Sequence, residues 1–140
     1  EDIFTGPILL QEFMRGLAED GKVLIFNKKY YVLNRKVREN DFRASGSGKL
    51  AFIEPPEEVL AYAREIYSKL DVPFISLDIG YDGVVCNLIE FQGTHFGPYT
   101  LVNSESYFIY SENKWIKINE KSILEEEYVE SISKFIKTVQ

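Results

Sequence analysis

Apolar residues in this chain fall mainly into short runs of four to eight, with longer three-and-four spacing in only two places. Such a pattern predicts more strands than helices. Ile8 to Phe13 reads as a buried strand. Lys22 to Phe26 and Tyr30 to Asn34 read as a hairpin around Asn27-Lys28-Lys29. Residues 36–49 break all periodicity, and their Gly46-Ser47-Gly48 and alternating charges mark a mobile loop. Long loops inside compact domains are more often functional than idle. Pro55-Pro56 suits a helix entrance, and Val59, Leu60, Ala63, Ile66, Tyr67 and Leu70 then recur on one helical face to about Leu70. After Pro73, strands are expected near Phe74 to Ile79 and Val84 to Phe91, joined across Tyr81-Asp82-Gly83, where Asp-Gly is a favoured turn pair. Gly93 to Pro98 is irregular, and Ser106 to Tyr110 with Lys114 to Ile118 form a second hairpin around Ser111-Glu112-Asn113. The last element is a helix with a capping box from Ser122 and Glu125 and an apolar stripe of Leu124, Tyr128, Ile132, Phe135 and Ile136. The sum is an α+β fold, a mostly antiparallel sheet covered by two helices.

Composition narrows this picture. At 140 residues the chain is one domain's worth, long enough to bury about two thirds of its unfolded surface. An apolar share of 45% excludes disorder, and no apolar run approaches the roughly twenty residues of a membrane span. A soluble piece is expected. The formal charge of −6, with acids gathered near the end, repels nucleic acid and anionic lipid. Cys86, the one cysteine, sits in the apolar run 84–89, which predicts a small buried side chain in a reducing, cytoplasmic compartment. The chain opens on Glu1-Asp2 without methionine or a charged-then-apolar leader. Residues 1–140 therefore read as a single domain cut from a longer protein.

The candidate chemistry lies in Leu88-Ile89-Glu90-Phe91-Gln92, twelve residues after the acid of Ile75-Ser76-Leu77-Asp78-Ile79. Glu90 and Gln92 are offset by two and share a strand face. With Asp78 on a neighbouring strand, they form the oxygen-rich set that suits a hard cation. Upstream lie the Arg-rich stretch Asn34-Arg35-Lys36-Val37-Arg38-Glu39-Asn40-Asp41-Phe42-Arg43-Ala44-Ser45-Gly46 and the run Ile8-Leu9-Leu10-Gln11-Glu12-Phe13-Met14. In this order the three segments, over roughly residues 8 to 92, resemble the carboxyl-terminal half of an ATP-grasp domain.

That resemblance implies a function. ATP-grasp enzymes join a carboxylate to an amine or thiol through an acyl phosphate made from ATP. It implies Asp78, Glu90 and Gln92 as ligands of magnesium, or manganese, with Glu90 bridging two ions and Gln92 standing where the family usually has asparagine. It implies Arg35 and Arg43 as catalytic, phosphate-holding residues, a task suited to the planar guanidinium fork. Gln11, Glu12, Phe13 and Met14 correspond to the hinge strand against which adenine lies, and Asp20 and Lys22 to polar contacts with ribose or phosphate. The partners implied are ATP, a small carboxylate, and the amino-terminal segments of the same protein, including a lid that brings a phosphate-gripping lysine. Oligomers are compatible with it, nucleic-acid and membrane partners are not implied, and the isolated piece is expected to be inactive. Ser45 and the following Gly-Ser-Gly-Lys depart from the family's usual Asn and His-Arg-Gly-Gly, which bears on substrate identity.

Geometry sets a condition on the metal ligands. With a two-residue turn at Asp82-Gly83, Asp78 would pair with Asn87, leaving Glu90 about 10 Å along the strand and on the opposite face. A shared cation site therefore requires a one-residue bulge or a wider loop between the two strands. Two tempting motifs fail. Ser45-Gly46-Ser47-Gly48-Lys49-Leu50 lacks the glycine and the hydroxyl of a phosphate loop, with Arg43 and Leu50 in those places. His95, the single histidine, has no triad or zinc partners in sequence. The rival class is a non-catalytic binding or interaction module that reuses the same sheet, with the acidic final helix as its partner surface.

Overall fold

The computed structural model describes residues 6–8, 10–41 and 43–138. The strands are β1 (Glu19–Phe26), β2 (Lys29–Lys36), β3 (Leu50–Ala51), β4 (Phe74–Tyr81), β5 (Cys86–Gln92), β6 (Tyr107–Ser111) and β7 (Lys114–Ile118). Helices α1 (Glu57–Ser68), α2 (Tyr99–Asn103) and α3 (Leu124–Thr138) complete the elements among the described residues. All seven strands join one sheet in the order β5-β4-β1-β2-β6-β7, with β3 added to β2, and every pairing is antiparallel. This is an α+β fold, with three helices rather than two. The extra one, α2, is a single turn after Pro98 that buries Leu101 and Thr100, too short to leave a periodic signal.

Both hairpin turns follow local chemistry. Phe26 pairs with Lys29, so the first turn holds two residues, and Asn27 adopts a φ of 55° that asparagine tolerates well. Glu112 and Asn113, between the paired Ser111 and Lys114, both have positive φ. That is the mirror-image turn whose twist matches a two-residue hairpin.

Alternation along the strands divides the sheet into two faces. The first carries Val23, Ile25, Tyr30, Val32, Ile75, Leu77 and Ile79, packed against Val59, Leu60 and Ala63 of α1. Helix α1 thus docks with the stripe read from the sequence. The second face is split. Toward one end Leu24, Phe26, Tyr31 and Phe74 meet Leu101, Tyr107, Phe96, Leu124 and Tyr128. Phe26 is the hub, with ring centroids 5.0 Å from Tyr128 and 5.6 Å from Phe74. Toward the other end the same face turns charged.

Several expectations need correction. Ile8 to Phe13 form no strand among the described residues, and Ile8 and Leu10 are 70% and 85% exposed. The physical reason is the pairing of β1 and β4: β1 is flanked by β2 and β4, and β4 by β1 and β5, so neither offers a free edge to another strand. Leu9 lies outside the described residues. Helix α3 begins at Leu124, and the Ser122 hydroxyl accepts a hydrogen bond from Tyr31 at 2.6 Å, which replaces the expected capping box. Two of the five residues of the α3 stripe, Ile132 and Ile136, are exposed, because Glu127 and Ser131 take the inner positions. Glu127 is held there by Lys29, whose ammonium also lies 4.9 Å from the Tyr107 ring centroid. Cys86 is only partly buried, at the start of β5 beside the exposed Val84 and Val85.

Phe26→Ala removes a fully buried ring from the centre of the aromatic cluster and is expected to cost about 3–5 kcal/mol in urea unfolding. Ser131→Ala deletes a buried hydroxyl that lacks a hydrogen-bond partner among the described residues, and is expected to be neutral or stabilising in the same assay.

Candidate functional site

The charged half of the second face is built from rows that cross the sheet. Leu33, Lys22, Asp78 and Glu90 stand opposite one another on β2, β1, β4 and β5. The next row is Arg35, Asp20, Gly80 and Asn87. On the other side Ser76 faces Gln92. Opposed residues of antiparallel strands share a face, so Asp20, Lys22, Arg35, Asp78, Glu90 and Gln92 all project the same way.

Asp78 opposes Glu90 because the β4–β5 hairpin is irregular in two ways. Tyr81 pairs with Cys86, which leaves a four-residue loop in place of the expected Asp-Gly turn. Asp82 closes that loop by accepting hydrogen bonds from the amides of Val84 and Val85, which hold its carboxyl below the usual carboxylate range. Further along, Asp78 pairs with Glu90 but Ile79 with Leu88, so Ile89 is an extra residue, a bulge. The bulge shifts Glu90 and Gln92 onto the face of Asp78. The Gln11 amide donates to the Ile89 carbonyl at 3.3 Å, meeting a backbone acceptor at the irregularity.

Arg35 is the anchor of the cluster. Its Nε and Nη2 donate to the two oxygens of Asp20, each at 2.7 Å, and Nη2 also lies 2.7 Å from Asp78 Oδ2. Lys22 Nζ contacts the other Asp78 oxygen at 3.2 Å. Arg35 is 7% exposed. Burial opposes its charge, yet the hydrogen bonds and charges of Asp20 and Asp78 outweigh burial and push its pKa upward. For Asp20 burial wins over the Arg35 interactions, and its carboxyl sits above the ordinary range. The cover over this half comes from the segment before β1: a Cβ on Gly80 would lie 3.0 Å from both Leu17 Cδ2 and Met14 Sδ. Residues 11–17 thus act as a strap across the face where an additional strand was expected, and Met14 is its inner contact.

The structure brings together Asp20, Lys22, Arg35, Asp78, Glu90 and Gln92 on one face, with Gln11 at the Ile89 carbonyl and Met14 over Gly80, and puts Arg43 on a separate loop. Glu90 and Gln92 are exposed and bonded to each other, the amide donating to the carboxylate. Arg43 is 58% exposed on the loop between β2 and β3, and its guanidinium pairs with Asp41 at 2.6 Å. That loop is knitted by Arg38, which donates to the Ser45 carbonyl. Phe42 lies outside the described residues. Gln11, Glu12 and Phe13 belong to the strap, with Phe13 exposed. Asp20 was the residue most undervalued by sequence reasoning. The three-residue turn expected at Asn27-Lys28-Lys29 would have set it opposite Lys36; the two-residue turn of the structure sets it opposite Arg35.

Magnesium is commonly held by one or two carboxylates together with phosphate and water oxygens. Asp78, Glu90 and the Gln92 amide supply hard oxygen donors on one face, which fits such an ion. Among the described residues no group of three His, Cys, Asp or Glu side chains is placed to hold a metal.

No family model, curated protein or solved structure matches the chain. No helix among the described residues is long and apolar enough to cross a membrane.

Arg35→Leu leaves Asp20 and Asp78 buried without their shared cation and is expected to cost about 3–5 kcal/mol at neutral pH. Removing Arg35 also removes what lowers the Asp20 pKa, so in the variant that carboxyl is raised further. A raised acid destabilises the folded state above its unfolded value, about pH 4, and the penalty disappears on protonation. The stability gap between parent and variant should therefore be widest near neutrality and narrow as pH falls; denaturant unfolding across pH measures it.

Proposed function

We propose that this chain is the ATP- and magnesium-binding part of an ATP-grasp ligase, which activates a carboxylate as an acyl phosphate for attack by an amine or thiol, and that its sheet is the carboxyl-terminal ATP-grasp subdomain. The observation that carries this reading is the Ile89 bulge, since the family assignment of Asp78, Glu90 and Gln92 requires them on one face. Phosphoryl transfer asks a protein mainly for positioning and charge neutralisation. Bound magnesium supplies neutralisation at the β and γ phosphate oxygens.

The chain's own residues do the rest. Glu90 and Gln92 present exposed oxygens at the edge strand, where a ligand approaches without crossing the core. Asp78 is fixed in direction by Arg35, so its carboxylate needs little reordering on binding. Arg35 acts here by holding Asp78 and Asp20, while the exposed Arg43 is the guanidinium able to exchange Asp41 for a phosphate. The strap carries the exposed Phe13 and the Gln11 side-chain amide, which donates to the Ile89 carbonyl at the bulge, as apolar cover and a hydrogen-bonding group for a purine.

One observation favours a second reading, a non-catalytic module. Arg35 is buried and fully engaged, and the β4–β5 loop and edge strand β5 expose Val84, Val85 and Phe91, an apolar edge suited to another protein surface.

Titration of the chain with ATP and Mg2+ is expected to give weak binding, on the order of 1 mM, lost on chelation and in Glu90→Gln. In a longer polypeptide that supplies the lysine-bearing lid, turnover should release ADP and yield an acyl phosphate trapped by hydroxylamine. ATP binding indifferent to both chelation and Glu90→Gln, or AMP as the product, would refute the ligase reading.

A further inference from the structure

Asp78 is contacted by two cations of unequal permanence. Arg35 is held by three charge-assisted contacts at 2.7 Å, two of them to Asp20, and is almost wholly buried. Lys22 makes one contact, at 3.2 Å, and its side chain keeps 19% of its surface exposed. An ammonium on a four-carbon stem is a mobile point charge, whereas the guanidinium fork loses several bonds at once if it moves. Lys22 is therefore the cation that can leave.

Its position gives the departure a consequence. Lys22, Asp78 and Glu90 stand in one row on adjacent strands β1, β4 and β5, with Asp78 in the middle. The cluster sets three carboxylates, Asp20, Asp78 and Glu90, against two cations, Lys22 and Arg35. Glu90 has only the Gln92 amide as its hydrogen-bond partner among the described residues. The Asp78 oxygen bonded to Lys22 is the one that Arg35 leaves free. A divalent ion between Asp78 and Glu90 competes directly with Lys22 for that oxygen.

We propose that Lys22 is a resident counter-ion of Asp78, a positioning residue that occupies the cation site until a divalent ion displaces its ammonium. The inference rests on the magnesium-binding reading above. The desolvated Asp78 is never left with Arg35 alone, which would be costly for a carboxylate with one unmatched oxygen. Displacement also releases a lysine on the same face as the incoming ligand, where a phosphate oxygen is its natural acceptor. Affinity for the bare ion is thereby kept low, because the metal must first break an existing ion pair.

The test uses Mn2+ alone, without nucleotide, followed by electron paramagnetic resonance of the free ion and by the thermal unfolding midpoint of the chain. Lys22→Met keeps the length and apolar stem and removes the charge, and Lys22→Gln provides a second variant if the first folds poorly. The expected result is Mn2+ binding about tenfold tighter in the variant than in the parent, the fold-change of one partly buried ion pair. Mn2+ should also raise the variant's unfolding midpoint more than the parent's, and Glu90→Gln in the Lys22→Met background should abolish both gains. Mn2+ binding that depends on Glu90 but is equal or weaker in the Lys22 variants would overturn the counter-ion role while leaving the metal reading intact. Absence of any Glu90-dependent Mn2+ binding in parent and variants would overturn both.

Discussion

The bond between Arg35 and its two carboxylates ties the centre of the sheet together. Asp20 lies on β1, Arg35 on β2 and Asp78 on β4, so one guanidinium links three adjacent strands at the end opposite the aromatic cluster. Burying such a group is expensive unless every charge finds a partner. Here the partners are complete, and their directions are fixed by strand register. The acid that faces the edge strand is consequently held before any ligand arrives.

The two halves of the second face solve different problems. The aromatic half buries Phe26, Tyr31 and Phe74 under α2 and α3 and supplies the apolar burial that holds those helices to the sheet. Among the described residues no helix packs over the charged half. It is closed by Met14 and Leu17 of the strap, which come so close to β4 that residue 80 is best left without a side chain. That arrangement leaves the edge strand β5 open, with Glu90 and Gln92 at its rim. A rigid interior clamp beside an exposed polar edge is how a fold combines a pre-set ligand geometry with access.

Much of this was legible locally. The α1 stripe, the places where the β1–β2 and β6–β7 hairpins turn, and the shared face of Glu90 and Gln92 follow from periodicity and turn chemistry, which depend only on neighbouring residues. The condition on the metal ligands was legible too, since pleat geometry required a bulge or wider loop, and the structure has both. The strap and α2 were misread for opposite reasons. Ile8 to Phe13 carries an apolar run that pairs with no strand among the described residues, its neighbours Met14 and Leu17 crossing over Gly80 instead, and Tyr99 to Asn103 forms a helix of one turn that periodicity cannot register. The α3 stripe was misjudged because a buried Glu127–Lys29 pair rotated a charged residue inward.

By itself the sequence determined the β1–β2 and β6–β7 hairpins and the α1 helix, because alternation, helical spacing and turn chemistry depend on neighbouring residues, whereas the pairing of Asp20 with Arg35 followed from the two-residue turn that the folded hairpin adopts in place of the three-residue one expected. Only the tertiary structure decided that β4, nearly fifty residues later, would lie against β1 and bring Asp78 between Lys22, Arg35 and Glu90. Such a contact joins segments distant in the chain, and it is set by which strand edges are free and which faces must be buried, not by the residues around either partner.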